Sequence, residues 1–200
     1  LSDWSSDVCS SDLNKKRIYR RYMNYILPLL SVLIGFSIAL FFKPKGKKNL
    51  KLLLAFSGSF LLSLTVMHLL PDVYESGDAK VGIFIMIGIV FQIILEYFSK
   101  GAEHGHVHGH NKMSHIPWLL FFSLCLHALL EGFPIHENQN LAYGIAIHHF
   151  PIAIILTLFF VNAKMNKWLI FAFMFSFALM TPLGTLLADQ MVFAYFSSFE

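Results

Sequence analysis

Charge is scarce in this chain. Only 14% of its 200 residues are Asp, Glu, Lys or Arg, against 56% hydrophobic and 16% aromatic, and the mean hydropathy is +0.61. A soluble domain of this length needs more charge than that to cover its surface, so the composition excludes one and leaves a membrane protein. Cysteine is scarcer still, at two. Cys125 lies between Leu124 and Leu126 inside an apolar run and reads as packing, while Cys9 falls in an atypical leading segment, so neither reports on a redox compartment.

What is abundant is long apolar runs, each of roughly 18 to 23 residues and able to cross a ~30 Å hydrocarbon layer as helix. They fall near 25 to 42, 50 to 70, 81 to 98, 117 to 135, 141 to 163 and 168 to 188. The predicted fold is therefore all-α, a polytopic transmembrane helix bundle of six spans. Lys43, Lys45, Lys47, Lys48 and Lys51 follow the first span, Lys100 and Lys112 the third, and Lys164 and Lys167 the fifth. The positive-inside bias puts these loops on the cytoplasmic side. The even loops carry acid, with Asp72, Glu75 and Asp78 against Lys80 in one and Glu137 in the other.

Both ends of the chain are atypical. LSDWSSDVCSSDL has no apolar period and is similar to translated cloning sequence. The basic run Lys15, Lys16, Arg17, Arg20 and Arg21 conflicts with the orientation above unless translation begins near Met23. Residues 1 to 22 are accordingly set apart as a foreign or disordered segment, and 23 to 200 taken as the transmembrane domain. At the other end, ADQMVFAYFSSFE reads as the opening of a further span, and the chain as a fragment.

Histidine is placed where neither core nor surface calls for it. In GAEHGHVHGHNKMSH, His104, His106, His108 and His110 alternate with small residues, a pattern no packed helix or strand uses. A mobile, imidazole-rich tether of this kind suits zinc, copper or nickel. More telling is HALLEGFPI, which closes the fourth apolar run. A charged side chain at mid-bilayer costs roughly 2.5 to 3.5 kcal/mol on insertion scales, so Glu131 needs a partner. His127, four residues earlier, shares its helical face, and the fifth span offers His148 and His149 in IHHFPI. At ~1.5 Å rise per residue, Glu131 lies about 21 Å and His148 about 20 Å from the inner boundary, so the two meet at one level. Pro134 and Pro151 follow three residues after Glu131 and His148 and free the carbonyls of Leu130 and Ile147 beside the cluster. Either His127 or His149 taken alone also reads as an interhelical hydrogen bond. Taken together, the histidines and Glu131 form a polyvalent site for a soft cation.

These residues resemble the ZIP (ZRT/IRT-like) family of metal transporters. The fourth span carries the family's H-x-x-x-E-G pattern as His127, Glu131 and Gly132, and the fifth its His-x-x-Pro pattern as His148 and Pro151. The histidine-rich loop lies where that family has its cytoplasmic variable loop. AFSGSFLLSLTVMHLLPD and MTPLGTLLA are similar to the family's second and sixth helices. The resemblance spans everything after Met23 and implies a ZIP-like bundle, six spans of an expected eight, that moves Zn2+, or Fe2+ or Mn2+, toward the cytosol, often as a homodimer. It implies His127, Glu131 and His148 as ligands, with His149 as a secondary or transient one. Ala128 and Ile152 stand where many members have Asn and a carboxylate, which argues against a binuclear site.

The expectation is thus an integral, multi-pass protein of the cell membrane, plasma or inner. It transports a divalent metal, zinc first, and has neither enzymatic activity, organic cofactor nor nucleic-acid partner. Imidazole ligation disfavours Mg2+ and Ca2+. His68, near Asp72, is a candidate outer capture point, or else a helix-end hydrogen bond. Two rivals stand beside transport: an integral-membrane metalloenzyme, for which the usual histidine boxes or additional carboxylates are missing, and a non-transporting sensor working through the histidine loop.

Overall fold

A computed structural model of the chain describes residues 3–42, 47–75, 80–99, 117–136 and 139–197, and among them there is helix and turn but no strand. In chain order the helices are α1 (Asp3–Phe42), α2 (Lys47–Leu64), α3 (Leu70–Glu75), α4 (Val81–Ser99), α5 (Trp118–Gly132), α6 (Gln139–Asn162) and α7 (Lys167–Ser197). A π-helical turn, Thr65–Leu69, joins α2 to α3 without a break, and a 3-10 turn, Phe133–His136, prolongs α5. Six segments are long and apolar enough to cross a membrane: Arg21–Phe42, Lys48–Glu75, Val81–Phe98, Trp118–Ile135, Asn140–Asn162 and Lys167–Met191. These are the six runs read from hydropathy, each shifted by a few residues at most except the second, which gains a turn through the π segment.

At both ends the described residues continue a neighbouring span. Residues 3–22, set apart as foreign or disordered, form one helix with the first span. Residues 189–197, read as the start of another span, prolong the sixth one instead. No breaker separates Leu187 from Met191, and Asp189 has polar company. Tyr25 Oη donates to Asp189 Oδ2 at 2.5 Å, and Arg21 Nε lies 3.8 Å from the same oxygen.

The packing centre is α6, the most buried span, while α2 and α4 are the least buried. α6 packs chiefly against α1 and α2, and α5 packs chiefly against α7. Phe160 of α6, Phe173 and Phe177 of α7 and Leu124 of α5 are fully enclosed, and Phe173 lies between Phe121 and Phe160 at ring-centroid distances of 5.0 and 4.7 Å. Large rings tile this core because close-packed aromatic edges and faces replace the hydrophobic driving force that an apolar bilayer does not supply. Outward, α4 shows Ile83, Phe84, Met86, Ile87 and Val90 exposed, the surface a lipid-facing helix requires.

Small residues set how closely the backbones approach. Gly132 of α5 and Gly184 of α7 cross with their main chains in contact. A Cβ on Gly184 would strike the Leu129 carbonyl oxygen and lie 3.0 Å from its carbon, and one on Gly132 would strike Thr181 O and lie 2.9 Å from Gly184 Cα. Thr185 Oγ1 donates across the same crossing to Gly132 O at 3.0 Å. Gly35 does the same for α1 against α6, where a Cβ would sit 2.7 Å from Phe150 O. Ser31 Oγ also donates to Ala146 O between these helices. At the end where α1 enters its span, Asn24 Nδ2 donates to Ile135 O at 3.1 Å and pins α1 to the turn after α5. A tight turn returns the chain from α6 to α7, with Lys164 in the left-handed region at φ 55° and Asn166 Oδ1 capping α7 through Trp168 N–H at 2.9 Å.

The crossing gives a direct stability test. Gly184→Ala should lower stability by about 1 to 3 kcal/mol through overpacking against rigid backbone. Gly58→Ala, where a Cβ meets nothing within 4 Å, should be neutral or slightly stabilising. Thermal unfolding of the two variants in detergent measures the difference.

Candidate metal centre

Glu131 occupies the last full turn of α5, four residues before the end of the span Trp118–Ile135. One helical turn before it, His127 lies on the same face, and its Nε2 is 3.2 Å from Glu131 Oε1. From α6, His149 places Nε2 2.7 Å from the other carboxylate oxygen, Oε2. The carboxylate is therefore held between two imidazoles from two different helices. His148 completes the group. One donor atom each from His127, Glu131 and His148 can be chosen so that all lie within 4.8 Å of one another, and all three side chains are half-buried.

The spacing suits a small cation. Tetrahedral zinc with bonds of ~2.0 to 2.1 Å to nitrogen and oxygen sets its donors about 3.3 Å apart. The His127–Glu131 pair already stands at 3.2 Å, so only His148 has to close in. Three protein ligands with a fourth position left for water is also the arrangement of zinc sites that exchange a ligand.

The two adjacent histidines of α6 do different things because consecutive helical residues point about 100° apart. His149 turns into the core: it is 1% exposed, its ring lies 5.5 Å from that of Phe177, and Nε2–H donates to Glu131 Oε2. Its Nδ1 has no hydrogen-bond partner among the described residues. His149, expected as a secondary ligand, is thus engaged with the carboxylate, outside the group of three. His148 offers the third donor to the group with His127 and Glu131.

The expected meeting of Glu131 with the histidines of the fifth span is what the helices produce. The role given to Pro134 is not. The backbone passes from α-helix into the 3-10 turn after Gly132, and the N–H of Phe133 takes up the carbonyl of Leu130, so that carbonyl is not left open beside the cluster. Pro151 sits inside α6, which continues past it to Asn162. His68 lies exposed on the π-helical turn and Asp72 exposed in the first turn of α3, and neither joins the cluster. His104, His106, His108 and His110 lie outside the described residues.

One site neighbour was not read from the sequence. Gln92 of α4 places Oε1 2.9 Å from His127 Nδ1. The signal was available in the run IVFQIILEY, where one amide interrupts an apolar span. It fell on a helix with no other donor at that depth and carried no motif.

The clamp on Glu131 predicts a stability effect independent of metal. His149→Leu removes the donor to a buried carboxylate oxygen and should cost about 3 to 5 kcal/mol, as breaking one side of a buried pair does. His149→Gln keeps an N–H donor and should recover part of it. Thermal unfolding of chelator-treated protein in detergent reads both. No protein-family model, no curated protein and no solved structure matches the chain.

Proposed function

We propose that the protein carries a divalent transition-metal ion, zinc foremost, across a membrane through the site formed by His127, Glu131 and His148. The observation that supports this reading best is the convergence of one carboxylate and two imidazoles from two helices, deep within segments long and apolar enough to span a bilayer. Ionisable groups at that depth are costly and mark ion or substrate pathways. The resemblance of HALLEG and HHFP to the ZIP pattern agrees with that assignment, and the lysine-rich odd loops give inward movement its direction.

The donor chemistry narrows the cargo. Neutral imidazoles suit zinc and its neighbours among the transition metals, whereas Mg2+ and Ca2+ take all-oxygen shells. With one carboxylate, a divalent ion keeps net positive charge in the site, which favours handing it on over storing it. The three residues are half-buried, while His127 Nε2 and His148 Nδ1 are themselves shielded from solvent.

Reconstituted vesicles test the reading. Protein inserted in liposomes that hold an entrapped fluorescent zinc indicator should import Zn2+ faster than protein-free liposomes. Glu131→Ala combined with His127→Ala should fall to the protein-free background while eluting as a folded species. Flux that survives the double substitution rejects this site. Replacing His104, His106, His108 and His110 should alter the rate or its dependence on zinc concentration and leave transport in place, whereas a sensor working through the loop would lose its response.

A further inference from the structure

We infer that Gln92 is a positioning residue for the metal site, holding the His127 proton on Nδ1 so that the Nε2 lone pair points at the ion position shared with Glu131. The inference rests on the metal-site reading above and adds to it a third helix, α4, which brings no ligand of its own.

Neutral imidazole carries one proton on one of two nitrogens, and only the bare nitrogen can bind a cation. An amide oxygen only accepts. With Gln92 Oε1 at 2.9 Å from His127 Nδ1, the proton belongs on Nδ1. Nε2, 3.2 Å from Glu131 Oε1, is then a lone pair facing a carboxylate oxygen. Two electron-rich atoms that close need a positive centre between them, and a shared cation is the one that uses both. In metal sites generally, the hydrogen bond to the far nitrogen of a ligating histidine fixes its tautomer and ring orientation.

The setting of α4 separates this role from mere adhesion between helices. Leu95 is the one buried residue of α4 among the described residues, and Ile93 and Ile94, beside Gln92, are exposed. Side-chain hydrogen bonds between α4 and α5 include two of different kinds. Ser123 Oγ donates to Leu95 O at 2.5 Å, a bond to backbone, and Gln92 accepts from His127, a bond to a side chain of the site. The first joins the same two helices one turn before His127 without involving a side chain of the site, so it serves as the control for the second.

The test measures Zn2+ affinity of purified full-length protein in detergent by competition with a chromophoric chelator. Every sample carries His104→Ser, His106→Ser, His108→Ser and His110→Ser so that the loop does not bind the probe. Gln92→Leu should weaken binding about 10- to 100-fold, the usual effect of losing such a partner. Gln92→Glu, which keeps an acceptor facing Nδ1, should match the parent, and so should Ser123→Ala. Gln92→Leu added to His127→Ala should lower affinity no further than His127→Ala alone. If Gln92→Leu does not yield folded protein, Gln92→Met carries the same comparison. Parent-like binding by Gln92→Leu, binding by Gln92→Glu as weak as by Gln92→Leu, or an additive loss in the double variant overturns the role of Gln92 and leaves the site standing. Parent-like binding by Glu131→Ala overturns the site, and Gln92's role with it.

Discussion

The constraint on which the bundle turns is a single carboxylate in an apolar layer. Glu131 stands deep in a segment fit to span a membrane, where an acid without partners is expensive to insert. Its two oxygens face different directions, Oε1 toward His127 Nε2 on its own helix and Oε2 toward His149 on α6, which donates to it. Such a clamp dictates register. Sliding α6 along α5 by one residue would turn His149 about 100° away and leave a buried acid facing hydrocarbon. The depth, rotation and pairing of the two helices are therefore fixed by one polar contact, and the surrounding packing has to conform to it.

The conformity is visible in where small and large residues fall. Directly after Glu131 comes Gly132, and the backbone of α7 crosses there at Gly184, so close that neither position has room for a methyl group. A larger residue at either place would push α7 off α5 and unseat Phe177, whose ring closes the far side of His149. About three helix turns toward the other membrane face, the space between the same helices is filled by Phe121 and Phe173, with Phe160 of α6 against them. Narrow at the carboxylate and broad at the aromatic layer, the bundle holds its polar site with backbone proximity and its distant half with rings. The threonine bond from Thr185 to the Gly132 carbonyl adds direction to a contact that dispersion alone would leave free to slide.

Much of this could be read from the residues, and the unread part has a physical reason. Six apolar runs and their lysine-marked ends located the spans to within a few residues, because the cost of polar groups in lipid writes span limits directly into composition. His127, Glu131 and His148 were legible for the same reason: each is a polar side chain with no business in a span unless it has a partner. The division of labour between His148 and His149 was not legible, since adjacent helical residues differ only in rotation, and rotation is set by α7 through Phe177. Gln92 was missed because its partner lies 35 positions away on another helix. The Leu130 carbonyl was expected to stay open because proline removes a donor, but the chain tightened into a 3-10 turn and used the N–H of Phe133 in its place. Helix ends regularly recover orphaned carbonyls this way, and composition holds no trace of it.

On the proposed transport reading, the two carboxylate oxygens have separate parts. If Glu131 bound an ion through both oxygens, departure of the ion would leave a bare acid in the bundle, and the helices would have to separate or admit water to relieve it. Here Oε2 is hydrogen-bonded to His149, which is enclosed and lies outside the group of three. That leaves Oε1, His127 Nε2 and the His148 donor as the atoms the proposed ion would use. On that reading half of the acid's demand is met by the fold and half is left to the ion, which is the half that exchange would disturb.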